Sequence, residues 1–336
     1  MENKRITWID AAKGIGILLV FLGHTVIPEK IFWYIFSFHM PLFFFLSGYL
    51  YRADKHDSWW DFAKDRFKKL LVPYITFFII LLIYWLLIGR AIGDVQNLSV
   101  GVSKILYEFS YASAYLKTPF APLWFLFTLF WVEIIFFILQ KNIKQKLWLF
   151  LAIFLISLGG YFYSIRIGIR PPWGIDIASV AVLFYGFGYF MKDLKTQLAD
   201  ISNFVLILVT PILIFIGVWV ASVNIRVDMM SNIYGVFYLF VGGSLAGIGT
   251  TIALAKIWPL RIFQYLGKNS LFLFAFQFAA LDIGKALMKY FWPNFDYWKL
   301  GSKNILIGLG LSVFAICLLI LINELYNLLK KKLQAS

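Results

Sequence analysis

Long apolar runs alternate with short polar interruptions from one end of this chain to the other. Ten of the runs are long enough to cross a bilayer as helix, which takes roughly 17 to 25 residues. They fall at about 11–28, 32–51, 72–89, 122–140, 147–164, 175–191, 203–222, 232–256, 269–289 and 303–327. The predicted fold is all-α: a polytopic integral membrane helical bundle of about ten transmembrane helices. Residues 58–70 break the pattern, because Trp59, Phe62, Phe67 and Leu70 recur at helix-like intervals among charges, as in an amphipathic helix lying in the inner interface. Pro73 then marks the start of the third span. The segment 90–121 is the longest between spans and carries Gln96, Asn97, Tyr107, Glu108, Tyr111 and Tyr115, groups suited to a ligand surface. No repeat or low-complexity tract interrupts the pattern, so residues 1–336 read as one integral membrane domain with no separate soluble domain. The first span reads as a retained helix rather than a cleaved signal peptide.

Composition agrees with this pattern. Hydrophobic residues make up 61% of the chain and charged residues only 14%, with a mean hydropathy of +0.80, too apolar for a soluble domain. The net charge of +14 is spread over short loops, which fits lipid headgroups and orientation rather than nucleic acid. With the N-terminus inside, 20 of the 31 Lys and Arg residues fall on the inner side, so the positive-inside rule predicts both termini in the cytoplasm. The single cysteine, Cys317, lies in an apolar run and reads as inert, with no disulfide framework and no metal site.

Candidate chemistry begins with Lys13 and His24. Eleven residues apart is about three helical turns, so both side chains share one face of the first helix, roughly 16 Å apart. An ammonium near one membrane face and an imidazole deep inside form a polar stripe whose cost points to a pathway or a reaction site. The second span carries His39 beside Pro41, whose ring removes the backbone bond to the Ser37 carbonyl. Placed as a hairpin, the two helices bring both histidines, some turns in from their outer ends, toward one site. Neutral imidazole accepts a proton from a hydroxyl near pH 7, so each is a candidate general base; a membrane histidine also serves simply to bond a carbonyl. Asp10, one turn before Lys13, suits a structural pairing with it. Glu133 and Asp282 read as intramembrane carboxylates that would mark a proton path, Asp176 as an outer loop or helix start, and Ser47 lacks the context of a nucleophile.

The run Asp10-Ala-Ala-Lys13-x10-His24, followed by Phe38-His39-Met-Pro41-Leu-Phe-Phe-Phe-Leu-Ser47-Gly48-Tyr49, resembles the N-terminal signature of membrane acyltransferase family 3, and within it the fucose 4-O-acetylase-like branch of integral membrane O-acetyltransferases. Arg66-Phe-Lys-Lys69-Leu-Leu-Val-Pro73-Tyr74, Pro122-Leu-Trp124-Phe-Leu and Leu266-Gly-Lys-Asn269-Ser270-Leu extend the resemblance to about residue 277. The chain departs from the pattern at Lys13, where Arg is usual and its planar fork is lost. It departs again near Gln277, where a His often follows the last motif. The resemblance implies a multi-pass protein of the cell membrane, that of a bacterium. It implies transfer of an acyl group, usually acetyl, from acyl-CoA (acetyl-CoA as co-substrate, no metal) to a hydroxyl of a carbohydrate acceptor on a surface or exported glycan. His24 and His39 would then be catalytic, the first as general base and the second as an orienting or oxyanion-stabilising group. Lys13, Arg66 and Lys69 would bind the cofactor, and Trp124 the substrate. The same polar midplane also suits a transporter or flippase for a glycan precursor, which has no need of a polyanion site on the cytoplasmic side.

Overall fold

The computed structural model describes residues 6–52, 58–92, 101–111, 118–194, 201–294 and 296–335. Gln96, Asn97 and Tyr115, like the basic residues Lys4 and Arg5, lie outside the described residues. In chain order the helices are α1 (Thr7–Gly23), α2 (Glu29–Tyr49), α3 (Trp59–Ile92), α4 (Val102–Tyr111), α5 (Trp124–Asn142), α6 (Lys146–Arg166) and α7 (Ile175–Met191). They continue with α8 (Asn203–Val223), α9 (Phe237–Ile257), α10 (Arg261–Lys268), α11 (Ser270–Phe291), α12 (Tyr297–Gly301) and α13 (Ile305–Ala335). The fold is an all-α membrane bundle. Among the described residues nine helices are long and apolar enough to cross a membrane. The first helix, at 17 residues, is not one of them. It needs no lipid-facing surface, because α2, α9, α10, α11 and α13 enclose it.

Lipid contact and core position divide the helices as their sequences suggest. α6 and α8 bury only 17% and 22% of their apolar windows and turn Leu155, Phe204 and Phe215 outward, whereas α2 buries 67% of its own. Without water to drive helices together, close association inside hydrocarbon relies on small residues that let backbones touch. At Gly48 of α2 an added Cβ would stand 1.9 Å from the Tyr185 carbonyl oxygen of α7, and at Gly188 of α7 it would stand 1.9 Å from that of Phe45. A second pair joins α1 to the short helix α10: a Cβ at Gly14 would meet the Phe263 oxygen at 1.9 Å, and one at Gly267 the Asp10 oxygen at 1.8 Å.

Two boundaries differ from those predicted. The amphipathic segment and the third span form one continuous helix of 34 residues rather than two. A π-helical turn, Phe67–Leu71, stands just before Pro73, where the missing N–H would otherwise interrupt the ladder, so a wider turn carries the helix past the proline. The first helix stops at Gly23 rather than Pro28. His24 is its C-cap, with its N–H bonded to the Val20 and Phe21 carbonyls, and the Thr25 hydroxyl bonds the Leu22 carbonyl at 2.7 Å. His24 therefore sits at the very end of its helix, not turns within it.

The Gly48–Gly188 contact sets opposite expectations for two glycine substitutions. Gly188→Ala, which drives a methyl into backbone, lowers stability by about 1–3 kcal/mol or more. Gly242→Ala, whose Cβ meets nothing within 4 Å, raises it by about 0.5–1 kcal/mol through helix propensity alone. Thermal unfolding of the two purified variants in one detergent checks the signs.

Candidate active site

The end of α1 and the middle of α2 bring the two histidines together. Their ring centroids are 6.4 Å apart and nearly perpendicular, and Phe36 packs against both, at 5.6 Å from His24 and 4.8 Å from His39. Phe278 of α11 closes on His24 at 4.7 Å. The His39 ring is buried, with Nδ1 2.9 Å from the Ile35 carbonyl oxygen. A carbonyl oxygen only accepts, so Nδ1 carries the proton and Nε2 keeps its lone pair. One turn away, the Ser37 carbonyl that Pro41 leaves without a backbone donor accepts the Ser244 hydroxyl of α9 at 2.7 Å. That bond lets α2 run unbroken through Pro41 while holding His39 in place.

Both histidines border a cavity of about 100 Å³, with Trp124 and Gln277 in its wall and Asp228, Met229 and Met230 over it. At ~30 Å³ per molecule this is room for about three waters, enough for a small acyl fragment but not for a sugar ring. Gln277, on α11, is 1% exposed, and neither its amide nitrogen nor its amide oxygen has a hydrogen-bond partner among the described residues. On the other side of His24 lies a larger vestibule of about 320 Å³, lined by Phe32, Arg226, Lys285 and Tyr297. His24, Phe36 and Asp228 border both spaces. Arg226 lies over the Phe32 and Phe36 rings, 5.6 and 6.0 Å from their centroids, with its Nη2 3.1 Å from Asp228. The Tyr297 hydroxyl accepts the Val26 N–H at 2.8 Å, and burial pushes its phenol above the ordinary value.

The roof over the cavity is the connection between α8 and α9, and a buried polar network anchors it. Arg170 Nε stands 2.8 Å from the fully buried Asp176 carboxylate at the start of α7, and Arg170 Nη2 donates to the Met230 carbonyl at 2.9 Å. Asn232 donates to the same carboxylate at 2.6 Å and accepts from the Tyr234 hydroxyl at 2.8 Å. Asn232 has φ 57°, a left-handed conformation that asparagine tolerates better than most residues, and the turn aims its amide inward. Burial, reinforced by Asp176, holds the Tyr234 phenol above its ordinary pKa, so it stays a neutral donor. Asp228 pairs with Ile233 across the turn and accepts from Ser231 at 3.0 Å.

The predicted site residues divide between this cavity and the opposite face. His24, His39 and Trp124 meet on the cavity. Lys13 is half-buried and Asp10 buried, both on the α1 segment that packs on α10. Arg66 and Lys69 do not line the cavity. Arg66 Nη1 is 3.3 Å from the buried Glu133, its other nitrogen pairs with Asp65, and its guanidinium covers the Phe62 ring at 5.3 Å. Lys69 pairs with Asp65 at 2.9 Å and remains half exposed. Glu133, Asp176 and Asp282 each face a cation, the last with Lys285 at 3.6 Å, rather than forming a line of free carboxylates. Asp228 and Arg226 escaped the sequence reading, although the polar run Asn224–Asn232 between two apolar helices was a signal for them. Among the described residues no three His, Cys, Asp or Glu side chains gather as a metal site.

A family model described as an acyltransferase domain matches residues 6–324. No curated protein and no solved structure matches the chain.

The roof network sets its own expectation. Arg170→Met strands a buried carboxylate and costs about 3–5 kcal/mol, with trypsin cutting at Arg226 faster. Adding Asp176→Leu recovers most of that loss, because no charge is then left without a partner. Thermal unfolding and limited proteolysis of the single and double variants measure both effects.

Proposed function

This chain belongs to the acyltransferase 3 family and is a multi-span membrane protein, and we propose on that footing that it moves an acetyl group from cytosolic acetyl-CoA to a hydroxyl of a carbohydrate acceptor. The observation that carries this reading is the position of His24, which borders a small cavity on one side and a larger aromatic and charged vestibule on the other. The cavity takes the acyl carbonyl, delivered along α1 from the inner face. The vestibule, with Phe32, Phe36 and Tyr297 beside Arg226 and Asp228, takes the sugar.

In this mechanism the acceptor oxygen attacks the thioester carbon while His24 takes its proton. The carbonyl π pair moves onto oxygen, and as the C=O bond re-forms the C–S bond breaks. The sulfur leaves with the C–S bonding pair and takes the proton from His24, giving ester and free CoA. The His39 tautomer favours one of its two expected roles. With Nδ1 committed to the Ile35 carbonyl, Nε2 accepts a hydrogen bond from a second, non-reacting hydroxyl of the acceptor and so orients the sugar rather than donating to an oxyanion. Trp124 shapes the cavity wall against the substrate. Lys13 and Lys69 are assigned to the anionic cofactor on the inner face, and Arg66 to holding α3 against Glu133, which modifies the cofactor role expected of it. Pairing of Glu133, Asp176 and Asp282 with cations supports transfer chemistry over proton-coupled transport.

Radiolabelled acetyl-CoA and full-length protein in lipid nanodiscs provide the assay, with a panel of methyl glycosides as acceptors. His24→Ala lowers transfer by about 10²–10⁴ with an unchanged unfolding midpoint, and Lys13→Ala raises the KM for acetyl-CoA. Transfer that survives His24→Ala would remove that residue from the mechanism. The cavity volume predicts a steep loss of kcat/KM from acetyl-CoA to octanoyl-CoA, and equal rates for the two donors would contradict the assignment of the cavity to the acyl group.

A further inference from the structure

The acyl-transfer reading leaves one charge without a partner. As the hydroxyl adds to the thioester, the carbonyl oxygen becomes an oxyanion, and such sites stabilise it with a fixed hydrogen-bond donor in a place that excludes water. The cavity offers few donors. Its charged group is the Asp228 carboxylate, which repels an anion, and Met40, Ala121, Pro122, Phe274 and Phe278 provide none. His39 Nε2 is an acceptor by its tautomer, and His24 must begin unprotonated at the nitrogen that receives the proton. Trp124 and Gln277 remain, and only Gln277 is an amide whose nitrogen and oxygen are both buried with no partner.

A buried amide with neither end bonded is costly, since each unmet group forfeits its solvation with nothing in return. Native interiors satisfy nearly all such groups, and an exception calls for an explanation in function. A simple packing role explains nothing here, because Leu or Met fills the same volume without the penalty. We propose that Gln277 is a catalytic residue whose Nε2–H donates to the acyl carbonyl oxygen as it takes on negative charge. Its Oε1 accepts a hydrogen bond from the acceptor sugar or from the amide-rich pantetheine arm, which holds the N–H on target. Its place on α11, next to the Phe278 that packs on His24 at the end of α1, sets donor and base on two touching elements that border one cavity. The proposal rests on the acyl-transfer reading.

The test uses full-length protein in nanodiscs with acetyl-CoA, the methyl glycoside panel and water as acceptors, comparing wild type with Gln277→Met, Gln277→Leu, Gln277→Asn and His24→Ala. Gln277→Met and Gln277→Leu lower kcat by about 10²–10³ with little change in KM, and their unfolding midpoints stay at or above that of wild type. Gln277→Asn, which keeps the amide but withdraws it by one methylene, falls between. Wild-type kcat in both apolar variants, with His24→Ala inactive, overturns the role of Gln277 and leaves the transferase reading standing. Loss of activity accompanied by a lower midpoint in both apolar variants shows a structural residue and also overturns it. A wild type that neither binds nor turns over acetyl-CoA overturns the acyl-transfer reading and this proposal with it.

Discussion

Inside a bundle surrounded by hydrocarbon no water waits to bond a stray polar group, so each one must find its partner on the protein itself. That requirement decides which helices touch and where. Ser244 of α9 faces α2 because Pro41 has stripped the Ser37 carbonyl of its donor, and the hydroxyl repairs the ladder without bending it. Arg66 draws the amphipathic start of α3 against Glu133, and Arg170 ties the α7 start to the loop above it through Asp176. Among the described residues several buried polar atoms still lack a hydrogen bond, and Gln277 is the one side chain with two of them.

Much of this was legible in the sequence, and what was not has definite causes. Apolar runs identify the spans because hydrophobic length alone satisfies the membrane. His24, His39 and Trp124 belong to three different elements, yet their motifs marked them as partners and the fold brings them to one cavity. The end of α1 was misplaced because Thr25–Ile27 looks as apolar as the helix before it, while the stop comes from hydroxyl and cap bonds that composition does not record. Pro73 reads as a break, and only the backbone shows that a π turn absorbs it. The pairing of Arg66 with Glu133 could not be read from the sequence, because the two lie 67 residues apart. The roof was hidden for the same reason: Arg170, Asp176 and Asn232 acquire meaning only when three separate segments meet.

The roof also explains why a helix end makes a site. A histidine capping α1 would face solvent at the end of the bundle if nothing lay above it. The α8–α9 connection provides that cover with Met229 and Met230, while Arg226 and Asp228 face the vestibule. One loop thus forms the ceiling of one space and the wall of another. His24 stands in the partition between them.

The contact between α1 and α10 has a mechanical meaning. Where side chains separate two helices, small displacements are absorbed by rotamer changes; at Gly14 and Gly267 backbone meets backbone and nothing soft lies between. The two helices therefore behave as welded parts. A displacement of α10 is a displacement of α1, and the imidazole of His24 stands at the far tip of that helix.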